Sequence, residues 1–192
     1  MKLISDGAEA VIYRDGETVV KDRVQKGYRL PALDASLRKF RTRREAKVLE
    51  KLQDVSWVPS LIETDRSSKV VMSFVAGKRL RDVLNVSNSV NFGKEMGKKI
   101  RYLHDKEIIH GDLTTSNMIF SDEIVFIDFG LSFFSPSVEH KAVDLHLLKQ
   151  TLESKHHLIA KKCFKAVLSG YGDSAVVKRL ETVELRGRNK GK

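Results

Sequence analysis

Along residues 1–24 apolar and polar positions alternate and are broken by turn formers. Alternation puts every second side chain on one face of an extended backbone. The pattern predicts strands at Met1–Ser5, Glu9–Arg14 and Thr18–Val24, with a turn at Asp6-Gly7 and a hairpin at Asp15-Gly16. Gln25–Leu33 contains Gly27 and Pro31 and reads as a loop. Asp34 can cap a helix that runs to about Leu52, on the spacing of Leu37, Phe40, Ala46, Val48, Leu49 and Leu52. Pro59 breaks the chain, and Leu61–Asp65 and Lys69–Phe74 return to a strand pattern on either side of Arg66-Ser67-Ser68.

Beyond Gly77 the period changes. Leu80–Asn85 and Ser89–Asp105 read as helices, the second with Phe92, Met96, Ile100 and Leu103 on one face. Ile108–Asn117 reads as a loop, Met118–Phe120 and Ile124–Ile127 as short strands, and His140–Glu153, His156–Ser169 and Ser174–Val183 as helices. Strands with one helix, then mostly helices, predict a two-lobed α+β chain. The expected division is a β-rich N-lobe over 1–74, a mainly helical C-lobe over 75–184, and a basic flexible tail over 185–192.

Composition narrows the class. Hydrophobic residues are 41% and charged residues 31% of the 192, which suits a soluble globular chain. No apolar run approaches a membrane span, and the first residues lack a signal-peptide core, so a cytoplasmic location without membrane attachment is expected. Cys163 is the only cysteine, which excludes an intrachain disulfide and a cysteine zinc cluster. The net charge of +10 favours a polyanionic partner such as RNA or an acidic protein surface, the alternative being a solvated lysine-rich surface. Basic residues cluster at Lys39, Arg41, Arg43, Arg44 and Lys47, and again at Arg186, Arg188, Lys190 and Lys192.

The chemistry concentrates in His110-Gly111-Asp112-Leu113-Thr114-Thr115-Ser116-Asn117, which fits the kinase catalytic-loop frame H-R-D-L-x-x-x-N with Gly111 in place of arginine. Phosphoryl transfer needs a carboxylate to take the proton of the attacking hydroxyl and oxygen ligands for Mg²⁺. Asp112 suits the first role and Asn117 the second. Asp128-Phe129-Gly130 follows a short hydrophobic strand, and Asp128 suits a metal ligand. A lone Asp-Phe-Gly is weak evidence; in order after this loop it is strong. The same frame wants a lysine on the third strand and a helix glutamate to aim it, and Lys21 and Glu45 stand in those places, with Glu50 less favoured. Asp144 either braces the catalytic loop or is a charge favoured by a helix start. His104, His146, His156 and His157 have no matched partners in the pattern.

The phosphate loop departs from the frame. Asp6-Gly7-Ala8-Glu9-Ala10 keeps one glycine, so backbone N–H groups at Gly7 and Ala8 would meet phosphate with less freedom. Glu9 adds negative charge there unless it is turned away or paired. Adenine would pack on Ile4, Val11 and Val19 on one side and on Ile119 and Ile127 on the other, with the backbone of 72–75, Phe74 included, pairing with the base. Gly93-Lys94-Glu95-Met96-Gly97-Lys98 imitates a Walker A loop, but it is one residue short, has Lys99 for the Ser/Thr, and lies in a helical pattern.

These segments, together with Arg43-Arg44-Glu45-Ala46, Ile127-Asp128-Phe129-Gly130-Leu131-Ser132 and Lys141-Ala142-Val143-Asp144-Leu145, resemble the small atypical serine/threonine kinase of the KEOPS complex, the PRPK-like family related to the RIO kinases. The resemblance covers nearly the whole chain. It implies a minimal bilobal protein-kinase-like fold, ATP and Mg²⁺ as cofactors, and a kinase/ATPase role beside a Kae-type threonylcarbamoyltransferase and other KEOPS subunits in tRNA modification. It also implies tRNA or partner contact through the basic tail. The alternative is a kinase-shaped scaffold for tRNA and partner proteins that turns over nucleotide only incidentally.

Overall fold

The computed structural model describes residues 1–7 and 9–188, with side chains through Arg186. The chain forms two compact units, Met1–Ala76 with Val125–Leu131, and Gly77–Ile124 with Ser132 onward. The Asp128 segment, expected in the C-lobe, thus clusters with the first unit.

The first unit is an antiparallel sheet with one long helix. Its strands are β1 (Lys2–Asp6), β2 (Val11–Asp15), β3 (Thr18–Asp22), β4 (Leu61–Thr64) and β5 (Lys69–Ser73), in the order β1-β2-β3-β5-β4. Asp15 pairs with Thr18 across the predicted Asp-Gly hairpin. Helix α1 spans Pro31–Lys51 and buries Ala46, Val48 and Leu49. On β5, Val70 and Met72 are buried at alternate positions, as a half-covered sheet requires.

The helix begins earlier than expected, and Asp34 is not its cap. Pro31 takes the first helical positions after Leu30, where its missing N–H is no loss and its fixed φ is already helical. Asp34 sits inside the first turn, buried, pairing with Arg38 at 2.7 Å and accepting the Lys26 N–H at 3.3 Å.

The second unit contains β6 (Lys78–Arg79), α2 (Leu80–Val83), α3 (Ser89–Asp105), β7 (Ile108–Ile109), a 3-10 turn at Thr115–Asn117 and β8 (Met118–Phe120). A further strand, β9 (Ile124–Phe126), runs across the division between the units. Then come β10 (Phe133–Phe134), α4 (Val138–Lys155), α5 (Ala160–Tyr171) and α6 (Ser174–Arg188). β6 pairs with β8, and β7 with β10. Residues 108–117, expected to be loop throughout, therefore carry a strand and a helical turn. Met96, Ile100 and Leu103 of α3 are buried, as the periodicity predicts.

Gly93 and Gly97, the glycines of the Walker-like segment, lie on α3 where it packs on α5. A Cβ on Gly93 would stand 2.6 Å from the Cys163 carbonyl oxygen, and one on Gly97 would stand 2.8 Å from the Tyr171 nitrogen. They allow close helix packing, not phosphate binding. Helix α6 continues through Arg188, so residues 185–188 are helical where a flexible tail was expected. Arg186 pairs with Glu139 of α4 at 2.8 Å, which holds that end of the helix. Lys190 and Lys192 lie outside the described residues.

Candidate functional site

In the first unit, β3 delivers Lys21 to the middle of a charge cluster. The ammonium donates to Glu45 Oε1 at 2.9 Å and to Asp128 Oδ1 at 2.5 Å. Lys21 and Glu45 are buried, whereas the Asp128 side chain is 46% exposed. Burial alone would lower the Lys21 pKa; the Glu45 and Asp128 carboxylates outweigh both burial and nearby Arg23, and the net direction is upward. Lys21 stays a cation. Asp128 has φ +64°, a conformation that costs energy in a residue with a Cβ. The chain holds that strain at the residue predicted to meet metal.

Glu45, at mid-helix on α1, is thus the partner of Lys21. Glu50 pairs elsewhere, with Arg66 at 2.9 Å. Arg23, which the sequence argument passed over, belongs to this cluster. It pairs with Glu45 Oε2 and donates to Thr42 Oγ1 at 3.2 Å. The available signal was its spacing: residues two apart along an extended chain share a face.

The glycine-poor loop is tied down. The Gly7 N–H, expected to face phosphate, donates here to the Ala10 carbonyl at 3.0 Å. Ala8 lies outside the described residues. Glu9 is paired with Arg29 at 3.3 Å and with Arg41 of α1. Its charge is therefore compensated, one of the conditions set by the sequence. Within 72–75, the segment whose backbone is expected to pair with the base, the Phe74 N–H donates to the Glu17 carbonyl at 2.8 Å. Arg14 stacks on the Phe74 ring 3.7 Å from its centre.

In the second unit, the loop between β7 and β8 is built around Asp144 of α4. Asp144 is buried and accepts the His110 N–H at 2.8 Å and the Gly111 N–H at 2.9 Å. Its carboxylate also meets His104 Nε2 at 3.2 Å, and His104 Nδ1 meets the Tyr171 hydroxyl at 2.9 Å. A carboxylate only accepts, so Nε2 is the donor toward Asp144. Burial pushes the Tyr171 pKa up and keeps that hydroxyl protonated. Of the two readings of Asp144, the brace is the one present. His104 and His156 do have partners: the Thr115 hydroxyl lies 3.1 Å from His156 Nε2, and burial lowers the His156 pKa.

This frame sets Asp112 against Asn117. The Asn117 amide donates to Asp112 Oδ2 at 2.7 Å and to the Asp112 carbonyl at 3.1 Å. Arg79 donates to the Ser116 carbonyl and holds the far end of the loop. Ile119 lies on β8 opposite Arg79 and is half-buried. Within the first unit, then, Lys21, Glu45 and Asp128 are brought together, and within the second, Asp112 and Asn117.

Among the described residues no group of three or more His, Cys, Asp or Glu is poised to hold a metal ion. None of their helices is long and apolar enough to cross a membrane.

The RIO domain matches residues 10–169 of the chain. The KEOPS complex subunit Bud32 of Pyrococcus abyssi is 39% identical, over 100% of this chain and 90% of its own length. The EKC/KEOPS complex subunit BUD32 of Encephalitozoon cuniculi is 42% identical over 96% of this chain and 94% of its own. A probable bifunctional tRNA threonylcarbamoyladenosine biosynthesis protein of Methanothermobacter thermautotrophicus is 40% identical over 97% of this chain, which spans only 36% of that protein. Among solved structures, the Rio2 kinase of Chaetomium thermophilum in its ADP/Mg²⁺-phosphoaspartate complex aligns with TM-score 0.66 at 19% identity. It covers 100% of this chain and 72% of that one, and shares the fold. By this match and the near full-length identity to the Bud32 subunits, the chain belongs to the RIO-domain family, in its Bud32 branch.

Proposed function

We propose that the chain binds ATP with Mg²⁺ and moves the terminal phosphoryl group to a serine or threonine hydroxyl or to water, as the kinase/ATPase subunit of a KEOPS assembly that makes threonylcarbamoyladenosine in tRNA. The observation that carries the proposal is the buried Lys21 ammonium held between Glu45 and Asp128. A buried lysine fixed by a helix carboxylate is the device that meets the phosphates of a nucleotide in kinases. Relatives named for KEOPS and for threonylcarbamoyladenosine biosynthesis support the cellular role.

The donors present suit Mg²⁺. It takes oxygen ligands, and it relies on one or two carboxylates plus substrate phosphates, not on a dedicated protein cage. In the first unit Asp128 offers a carboxylate oxygen; in the second, taken by itself, Asn117 offers a side-chain carbonyl whose own N–H is directed to Asp112. Bound Mg²⁺ would neutralise charge on the phosphates. Asp112 takes the proton of the attacking hydroxyl or water, Lys21 offers its charge to phosphate oxygens, and Glu45 keeps Lys21 in place.

The partners are a Kae-type transferase, the other KEOPS subunits, and tRNA. For tRNA the exposed face of α1 is the fitting surface. Lys39, Arg43 and Lys47 are exposed there, beside an open cavity of about 480 Å³ lined by Arg43, Ala46, Lys47, Glu50 and Arg66.

A second reading, a scaffold with incidental nucleotide turnover, is favoured by the Gly7 N–H, which is spent inside its own turn. The deciding experiment follows ATP labelled on its terminal phosphate, with Mg²⁺, with and without the transferase and tRNA. ADP formation, with label on a hydroxyl side chain or in free phosphate, is expected. No ADP in any arm overturns the enzyme and leaves the scaffold.

A further inference from the structure

Four ionisable groups meet around β3 in the first unit: Lys21, Arg23, Glu45 and Asp128. The proposed chemistry uses three of them. Arg23 is left over, yet it is buried at 2% exposure, deeper than Lys21 at 6%. We infer that Arg23 is a positioning residue for the magnesium nucleotide, acting through Glu45 on Lys21. This rests on the nucleotide reading above.

The geometry is a fork. Arg23 Nη1 donates to Thr42 Oγ1 at 3.2 Å, while Nη2 pairs with Glu45 Oε2. Thr42 and Glu45 are one turn apart on α1 and share its buried face. A planar guanidinium that grips both fixes the carboxylate as well as neutralising it. The other carboxylate oxygen, Oε1, then meets Lys21 in a single orientation, at 2.9 Å. The same guanidinium lies against the Asp128-Phe129-Gly130 turn. A Cβ on Gly130 would stand 2.8 Å from Arg23 Nη2, 3.3 Å from Asp128 Oδ1 and 3.8 Å from Lys21 Nζ. The last residue of the motif is thus a glycine where Arg23 must approach.

The charges make the same point. With Arg23 the cluster sums to zero. Without it, two carboxylates share one ammonium, and Lys21 is consumed in compensating both. With Glu45 already neutralised by Arg23, Lys21 keeps positive charge to offer a phosphate. Stability alone is a poor reason for this arrangement. Buried ion pairs are often no better than apolar residues of the same size, and Arg23 Nε is buried with no hydrogen-bond partner.

The test is a binding titration of ADP–Mg²⁺ to the full chain, with urea denaturation in parallel. Arg23→Gln is expected to weaken binding by about tenfold when Lys21 is present, and by less than about twofold on a Lys21→Met background. Its effect on the urea midpoint should be the same on both backgrounds. Arg23→Lys, which keeps the charge but not the fork, covers the case in which Arg23→Gln fails to fold. It is expected to weaken binding by about threefold, again only with Lys21 present. Equal losses on both backgrounds, or unchanged binding, overturn the inference and reduce Arg23 to structural support. A wild-type chain that binds no ADP–Mg²⁺ removes the nucleotide reading itself, and the role of Arg23 with it.

Discussion

Asn117 donates its side-chain amide to the Asp112 carboxylate at 2.7 Å, across a single turn of the same loop. The contact fixes which way Asp112 faces and commits the Asn117 N–H to that carboxylate. Asp112→Asn keeps the size of the side chain and the brace from Asp144 but removes the carboxylate proposed to take the proton. ATP turnover should fall about 10²–10⁴-fold, read as ADP release at saturating ATP–Mg²⁺. Turnover within about twofold of wild type would remove Asp112 from the chemistry.

Asp144 carries more of the fold than of the reaction. Asp144→Ala leaves the buried His110 N–H without its acceptor and takes from His104 its carboxylate partner. Deserting buried donors in this way should cost about 3–5 kcal/mol in urea denaturation. Asp144→Asn retains one acceptor oxygen and should cost less. A loss under about 1 kcal/mol for the alanine variant would mean the loop is held by something else.

Asp65, in the turn between β4 and β5, accepts the N–H groups of Ser67, Ser68 and Lys69, each at 2.8 Å. Burial works to raise its pKa, but these donors prevail and hold it down to about 2. A carboxyl whose folded pKa lies below its unfolded value near 3.8 adds stability above that value and loses it as pH falls toward 2. The difference in urea midpoint between wild type and Asp65→Asn should therefore be constant above about pH 5 and shrink between about pH 4 and pH 2. A difference that does not change with pH contradicts the depressed pKa.

Gly97→Ala tests the helix contact in the second unit. Alanine improves helix propensity by about 1 kcal/mol, yet its Cβ would press on α5, first on the Val167 carbonyl oxygen and then on Tyr171 N and Gly170 C at 2.8 and 3.0 Å. Overpacking of about 1–3 kcal/mol should dominate, giving a lower melting temperature. A stabilised variant would show that the helices can move apart without penalty.

The motifs and most elements were legible in the sequence because they depend on local spacing. The helix Ser89–Asp105 and the strand Met118–Phe120 have the boundaries that their periodicity predicts, and the Lys21–Glu45 pair follows from the kinase frame. What was not legible depends on contacts distant in sequence. His104 and Tyr171 are 67 positions apart and signal nothing to one another along the chain. The start of α1 was misplaced because Pro31 was taken as a breaker when it stood at a helix N-terminus. The bond from the Gly7 N–H to the Ala10 carbonyl was not legible either, because a glycine in a turn does not disclose which carbonyl it will meet.

Gly111 stands at φ +77° with its N–H on Asp144. Where other catalytic loops have arginine at this place, that side chain can receive a phosphate added to a downstream segment, and a modification then completes the enzyme. A residue with no side chain has nothing with which to receive it. The loop of this chain is instead held by Asp144, which is buried with His104. The hold on this loop therefore comes from buried contacts made by its own backbone N–H groups, with no part played by a side chain at position 111.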